Sequence, residues 1–271
     1  MSRRYALLVV ASIAWMFALA SHAAAAGPLF PQPMHLTREI RDPFTRRTIR
    51  VDEYYEGDRA VSIESSRSVI ADYAKGELTE IDRTRGTYSV TPFAAVANAR
   101  GGVRTQSDAS REGKLEVDAK GSETRLDRSV ERFVVRDENA HLVVDVAVDP
   151  SIRLSADALD VVTGAAFPSS PDSTSAALRR ASREGGGTLT ANSTGSGGTF
   201  ALPVEQMLTW DVDGESVETT NRVVRIGSER VPPELVTIPL GAKEVESRIL
   251  QRKRLADEID SLGHHPTPNR P

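Results

Sequence analysis

Between residues 36 and 90 the chain alternates short strand-like runs with turn dipeptides at nearly even spacing. The turns are Asp42-Pro43, Gly57-Asp58, Lys75-Gly76 and Arg85-Gly86. They predict strands over 36–41, 48–55, 60–65, 68–73, 77–82 and 87–90. Strands this short and this regularly punctuated form a meander within a sandwich or a partly closed barrel. Val61 and Ile63 fall on one face of their strand, with Ser62 and Glu64 on the other. That two-residue period marks a sheet wet on one side.

The rest of the chain extends the pattern. A short helix is expected over 92–98, and 100–123 reads as a polar loop or poorly ordered hairpin. Strands resume at 125–136 and 142–148, with Val144, Val146 and Val148 on one face. Ser155 is the expected N-cap of a helix over 156–163 that Gly164 closes. A linker over 168–175 leads to a second helix over 174–184, and 185–198 is rich in Gly, Ser and Thr. Asp213-Gly214 between two alternating runs, 202–212 and 216–226, is a strong hairpin signal. It sets Leu208, Trp210 and Val212 on one side. Val245, Ile249, Ala256, Ile259 and Leu262 form an apolar stripe at helical spacing, which predicts a C-terminal helix over 244–262. The resulting organisation is a leader over 27–34 and one β-rich domain over 35–243, with polar insertions near 100–123 and 169–198. The C-terminal helix and a disordered tail over 263–271 complete it.

The N-terminus carries an address. Arg3 and Arg4 precede an apolar run of fifteen residues, 5–19, and small residues follow to Ala26. These are the three parts of a cleavable secretory signal. The run is shorter than the ~20 residues that span a bilayer, so the mature protein is expected to have no transmembrane segment. The net charge of −4 includes those two arginines, so the mature chain stands at about −6. Mild acidity argues against a nucleic-acid partner. The chain has no cysteine. That rules out disulfides, thiol catalysis, cysteine metal sites and the lipid-bearing cysteine of a bacterial lipoprotein. The expected location is periplasmic or secreted.

Catalytic patterns are missing. Beyond the signal the histidines are His35, His141, His264 and His265, and no Gly-x-Ser-x-Gly elbow accompanies them. Asp211-Val212-Asp213-Gly214 lacks the remaining ligands of a calcium loop. The glycine runs lack the Lys-Ser/Thr of a phosphate loop. No catalytic residue, metal or cofactor is expected, and the protein is read as no enzyme.

Two stretches carry a resemblance. The first runs from 51 to 88 and includes Glu56-Gly57-Asp58-Arg59, Val69-Ile70-Ala71-Asp72-Tyr73, Gly76-Glu77-Leu78-Thr79-Glu80-Ile81-Asp82 and Gly86-Thr87-Tyr88. The second is Val231-Pro232-Pro233-Glu234-Leu235 continuing through Ile238-Pro239-Leu240-Gly241-Ala242-Lys243. Together they resemble uncharacterised secreted bacterial proteins related to the LolA/LppX-like carrier superfamily. The chain departs from that pattern at Val236, where an aromatic is usual, and in its long polar middle. The resemblance implies a strongly curved antiparallel half-barrel with helices over its open side, whose concave face shelters acyl chains.

The leading functional expectation is therefore non-catalytic binding of a lipid or other apolar ligand, including lipoprotein acyl chains, in the cell envelope. Strand phase nominates Val61, Ile63, Ile81, Tyr88, Val144, Val146, Leu208 and Trp210 as lining residues. A one-residue register error would turn them outward. The alternative is a structural or partner-binding envelope protein with a filled core, which would meet an envelope protein through a sheet edge or the C-terminal helix.

Overall fold

Alternating burial along successive strands builds a single twelve-stranded sheet in the computed structural model, which describes residues 27–41, 46–99, 115–137, 141–166, 173–185, 199–212 and 215–263. The expected signal over 1–26, most of the polar insertions, the Asp213-Gly214 turn and the terminal tail lie outside the described residues. The strands are β1 (Phe30–Arg41), β2 (Thr48–Gly57), β3 (Arg59–Glu64), β4 (Arg67–Asp72), β5 (Glu77–Asp82) and β6 (Thr87–Pro92), then β7 (Glu116–Arg125), β8 (Arg128–Asp137), β9 (Leu142–Ser155), β10 (Thr199–Val212), β11 (Glu215–Gly227) and β12 (Lys243–Glu244). Their spatial order is β12-β6-β5-β4-β3-β2-β1-β11-β10-β9-β8-β7. Every pairing is antiparallel except β12 with β6. The helices are α1 (Phe93–Ala99), α2 (Ala156–Ala166), α3 (Ser173–Glu184), α4 (Pro233–Val236) and α5 (Arg248–Gly263). The chain is mainly β, a curved antiparallel sheet with a few covering helices, as expected.

Several boundaries differ from the sequence reading. The strand expected to end at 148 continues as β9 to Ser155, and α2 runs through Gly164, its expected stop, to Ala166. β1 starts at Phe30, so much of the anticipated leader is already strand. Pro31 and Pro33 sit where the β1–β2 register is broken, between Phe30 and Met34, so no ladder donor is demanded of them. Residues 116–123 form most of β7 instead of a loop. Their polarity is that of an outer edge strand, and Gly121, at φ +94°, makes the bulge that shifts the register there. The C-terminal helix starts at Arg248, later than expected, because Lys243 and Glu244 pair with β6 first.

Directly paired residues share a face of the sheet. Trp210, Leu208 and Gln206 pair with Leu142, Val144 and Val146 on one side and with Val217, Thr219 and Asn221 on the other. The same face continues through Ile40 and Arg38 to Val51 and Glu53, then Ser62, Val69, Glu80 and Ser89. α3 lays Ala177, Leu178 and Ala181 on Val144, Val146, Val148 and Leu208 of this face. Ser155 caps α2 as expected, its Oγ accepting the Ala158 N–H at 3.1 Å. Leu159 and Val162 of α2 join Leu154, Phe200 and Leu202 in the largest core cluster.

The opposite face carries Tyr54, Val61, Ile70 and Thr79 in one row, and Asp52, Ile63, Ser68, Ile81 and Tyr88 in the next. Among the described residues no long helix packs on these rows. Residues 228–242, with α4 in their middle, cross this face as a strap from the end of β11 to the far edge of the sheet.

Candidate functional site

Val231, Leu235 and Val236 of the strap pack on Val61, Ile63, Ile70, Ile81, Tyr54 and Tyr88. The Arg83 guanidinium holds α4 by donating from Nη2 to the Glu234 carbonyl at 2.7 Å. Beyond α4 the chain turns at Pro239–Ala242, where the Ala242 N–H donates to the Pro239 carbonyl and Gly241 adopts φ +80°. The Lys243 and Val245 N–H groups then donate to the Gly86 and Tyr88 carbonyls, which closes the strap onto the sheet edge.

The strap does not seal the face. A groove of about 640 Å³ remains between it and β2–β5. Tyr54, Val61 and Ile70 form its floor, and Val231, Val236 and Ile238 form its roof. Glu56, Asp58, Arg59, Asp72, Lys75 and Glu77 form its charged rim. This size lies within the range of small-molecule sites, which are mostly apolar with a few placed polar groups. A second hollow, about 80 Å³, sits at the β5–β6 edge beside Val245 and includes Ile81 and Tyr88.

The root of the strap is clasped by a buried histidine. His35 Nδ1 lies 3.2 Å from Glu229 Oε2, and Nε2 lies 3.2 Å from Asp52 Oδ1. Thr37 donates to the same Asp52 oxygen at 2.6 Å, and Arg225 pairs with Glu229. The imidazole stacks on Tyr54, the groove floor, at 4.2 Å and 5°. The Glu229 carboxyl is held below the usual range, first by its own backbone N–H and then by His35. A Cβ on Gly227 would strike the Glu229 carboxylate, so glycine there lets the clasp form.

On the helix-bearing face the unusual feature is polar. Arg38, fully buried, donates from Nε to Glu53 Oε2 at 2.6 Å, and the Tyr55 hydroxyl donates to the same oxygen at 2.8 Å. Burial works against the Arg38 charge, but Glu53 and Tyr55 outweigh it and raise its pKa. Arg38 Nη1 reaches Asn221 Oδ1 at 3.5 Å. Arg38 Nη2, Asn221 Nδ2 and both amide atoms of Gln206 have no protein partner. Gln206 and Asn221 face each other across β10 and β11.

The eight residues nominated from strand phase therefore separate. Val61, Ile63, Ile81 and Tyr88 come together beneath the strap. Val144, Val146, Leu208 and Trp210 come together on the opposite face, packed with α3. Of the eight, only Val61 lines the large groove. Sequence reasoning missed Tyr54, Ile70, Val231, Val236 and Ile238. Tyr54 and Ile70 had a usable signal, the alternation shared with Val61. The strap residues had no periodic signal, because a non-repetitive segment has no period to read; only the motif over 231–243 marked the segment, and it did not assign them to a groove.

No protein-family model matches the chain, and no curated protein matches it. Solved structures do resemble it. One is an uncharacterised conserved protein from Thermus thermophilus, at 9% identity over 80% of this chain and 92% of that one, with a TM-score of 0.40. MucB is similar at 10% identity and TM-score 0.40 over 77% of this chain, which spans 58% of the MucB chain. A LolA superfamily protein from Nitrosomonas europaea is similar at 9% identity and TM-score 0.28, over 77% of this chain and 91% of that one. In each case the likeness extends over about three quarters or more of this chain.

Among the described residues no helix is long and apolar enough to cross a membrane.

Proposed function

We propose that the protein is a non-catalytic binding protein of the cell envelope that holds a lipid or other apolar ligand in the groove beneath the strap. The observation that carries this reading is the groove itself: about 640 Å³ of space with an apolar floor and roof, outside the buried core clusters on the helix-bearing face. Each methylene moved from water into such a space contributes roughly 0.8 kcal/mol, so binding needs neither nucleophile nor metal. The envelope address rests on the signal-like N-terminus. In this reading Val61 touches the ligand, and Ile63 and Ile81 support the floor. Val144, Val146, Leu208 and Trp210 fill the core below α3.

The test is native mass spectrometry of the mature protein, prepared without detergent. The expected result is an excess mass that extracts into organic solvent and is a lipid. Val61→Trp should abolish it by filling the floor. Val236→Phe should reduce it from the roof, using the residue type usual at that position in the resembling families. An apo mass unchanged by incubation with envelope lipids would refute the reading and favour a partner-binding role.

A further inference from the structure

The charges around the groove are unequally committed. Arg59 Nε pairs with Asp72 Oδ2 at 3.0 Å, and Arg230 Nε pairs with Glu56 at 3.1 Å. Asp58 accepts the Leu29 N–H at 2.9 Å, and Asp72 accepts the Lys75 backbone N–H at 3.1 Å. These contacts engage four of the six rim side chains. Among the described residues, the Lys75 ammonium and the Glu77 carboxylate are left without a bonded partner. They flank Gly76, whose φ of +68° makes the tight β4–β5 turn. Both line the groove. Glu77 pairs in register with Asp72, on the same face as Thr79 and Ile70. Asp72 already has Arg59, so no protein cation is shared with Glu77.

One end of an apolar groove thus carries one free cation and one free anion, separated by a single residue. We propose that the groove takes a zwitterionic amphiphile, with Lys75 meeting its anionic group and Glu77 its cationic group while the chain lies between Val61 and Val236. The proposal rests on the apolar-ligand reading above and adds the head-group class. A purely anionic head would meet Glu77 as a like charge, and a purely cationic head would meet Lys75. A head bearing both charges, such as phosphoethanolamine, satisfies both.

The experiment titrates the full mature protein with three single-chain lipids of one acyl length, each below its micelle concentration. They are lysophosphatidylethanolamine, lysophosphatidylglycerol and monoacylglycerol, and binding is read by isothermal calorimetry. The zwitterion should bind most tightly. Lys75→Gln and Glu77→Gln should each weaken it by up to about fivefold, the usual limit for an exposed charge pair, and leave monoacylglycerol unchanged. Glu77→Lys should invert the preference towards lysophosphatidylglycerol. Both positions are on the rim, so these variants should keep the wild-type unfolding midpoint. Equal binding of all three lipids, insensitive to both charges, would overturn the head-group assignment while leaving the apolar reading intact. No binding of any of them would overturn both.

Discussion

The Arg38–Glu53 pair gives the sharpest test of how this sheet is held together. Its side chains are 0% and 2% exposed, and they meet through one hydrogen bond of 2.6 Å. Replacing Arg38 by Met would leave Glu53 buried with only the Tyr55 hydroxyl donating to it. An uncompensated buried charge of this kind costs about 3–5 kcal/mol. A typical domain has only about 5–15 kcal/mol in all, so the loss would be a large fraction. Glu53→Leu should cost a similar amount, because Arg38 already has Nη2 unpartnered. The combined variant Arg38→Met, Glu53→Leu, Tyr55→Phe removes all three polar groups together. It should return close to wild-type stability, or exceed it by about 1–4 kcal/mol. Urea unfolding of the two single variants and the triple variant measures this, with the slope checked for constancy. If Arg38→Met costs less than about 1 kcal/mol, the pair is hydrated and the reasoning from burial fails. If the triple variant is as unstable as the singles, the pair contributes through geometry that apolar side chains cannot replace.

Other expectations follow from the same structure. Gln206→Met should raise the unfolding free energy by about 1–3 kcal/mol, since both amide atoms lack a protein partner; a loss in the same urea experiment would mean that ordered water satisfies the amide. Burial raises the phenol pKa of Tyr55 strongly, and of Tyr73 and Tyr54 as well. An unfolded chain ionises its tyrosines near ~10 while the folded one keeps these protonated, so the unfolded state holds fewer protons and stability should fall as pH rises past about 10. Denaturant midpoints across that range, with ultraviolet titration of the phenols, check the sign. Gly227→Ala should push Glu229 off His35 and free the root of the strap. Hydrogen exchange should then speed up at the Leu235, Thr237 and Val245 amides and stay unchanged in β8 and β9. In wild type the depressed Glu229 carboxyl stabilises the clasp at neutral pH, and that contribution should disappear as pH falls through its folded-state pKa.

How much of this was legible in the chain depends on whether a residue's role was periodic. The strands from β2 to β6 were readable because alternation and glycine turns repeat on one scale. Gly57, Gly76 and Gly86 all adopt positive φ where the sequence punctuates. β7 was missed because the bulge between Ala119 and Gly121 breaks its two-residue period: Glu116, Asp118, Glu123 and Arg125 share one face only across that shift, and the other face offers Ala119, Ser122 and Thr124 where large apolar residues would signal a strand. Local phase carried burial for the eight nominated residues: six are buried, and Tyr88 and Trp210 are partly so. Their grouping was not legible. Whether Val61 and Val144 share a face depends on the parity of the intervening strand pairs and on the β1–β11 bulge at Thr37 and Arg38. No local pattern encodes that parity.

The parity has a functional consequence. The face that carries α3 is closed by fitted apolar contacts, and its polar centre at Arg38 is fully buried. The opposite face has only the strap, an irregular segment whose single short helix leaves space beside it. A strap packs fewer side chains per unit length than a helix, so a small residue within it leaves a void that neighbours cannot close. Val236 is such a residue, partly buried against the Val61 cluster and lining the groove. Val236 therefore tunes the volume of the groove, while the His35 clasp fixes one end of its roof. Under the apolar-ligand proposal, filling position 236 and breaking the clasp should act on the ligand differently. Val236→Phe removes space with the strap in place, and so lowers affinity through a smaller buried area. Gly227→Ala keeps the space but loosens the wall, and so chiefly speeds ligand release. Association and dissociation rates of a fluorescent fatty acid separate the two. Equal effects of both variants on both rates would show that roof and groove are not coupled in this way.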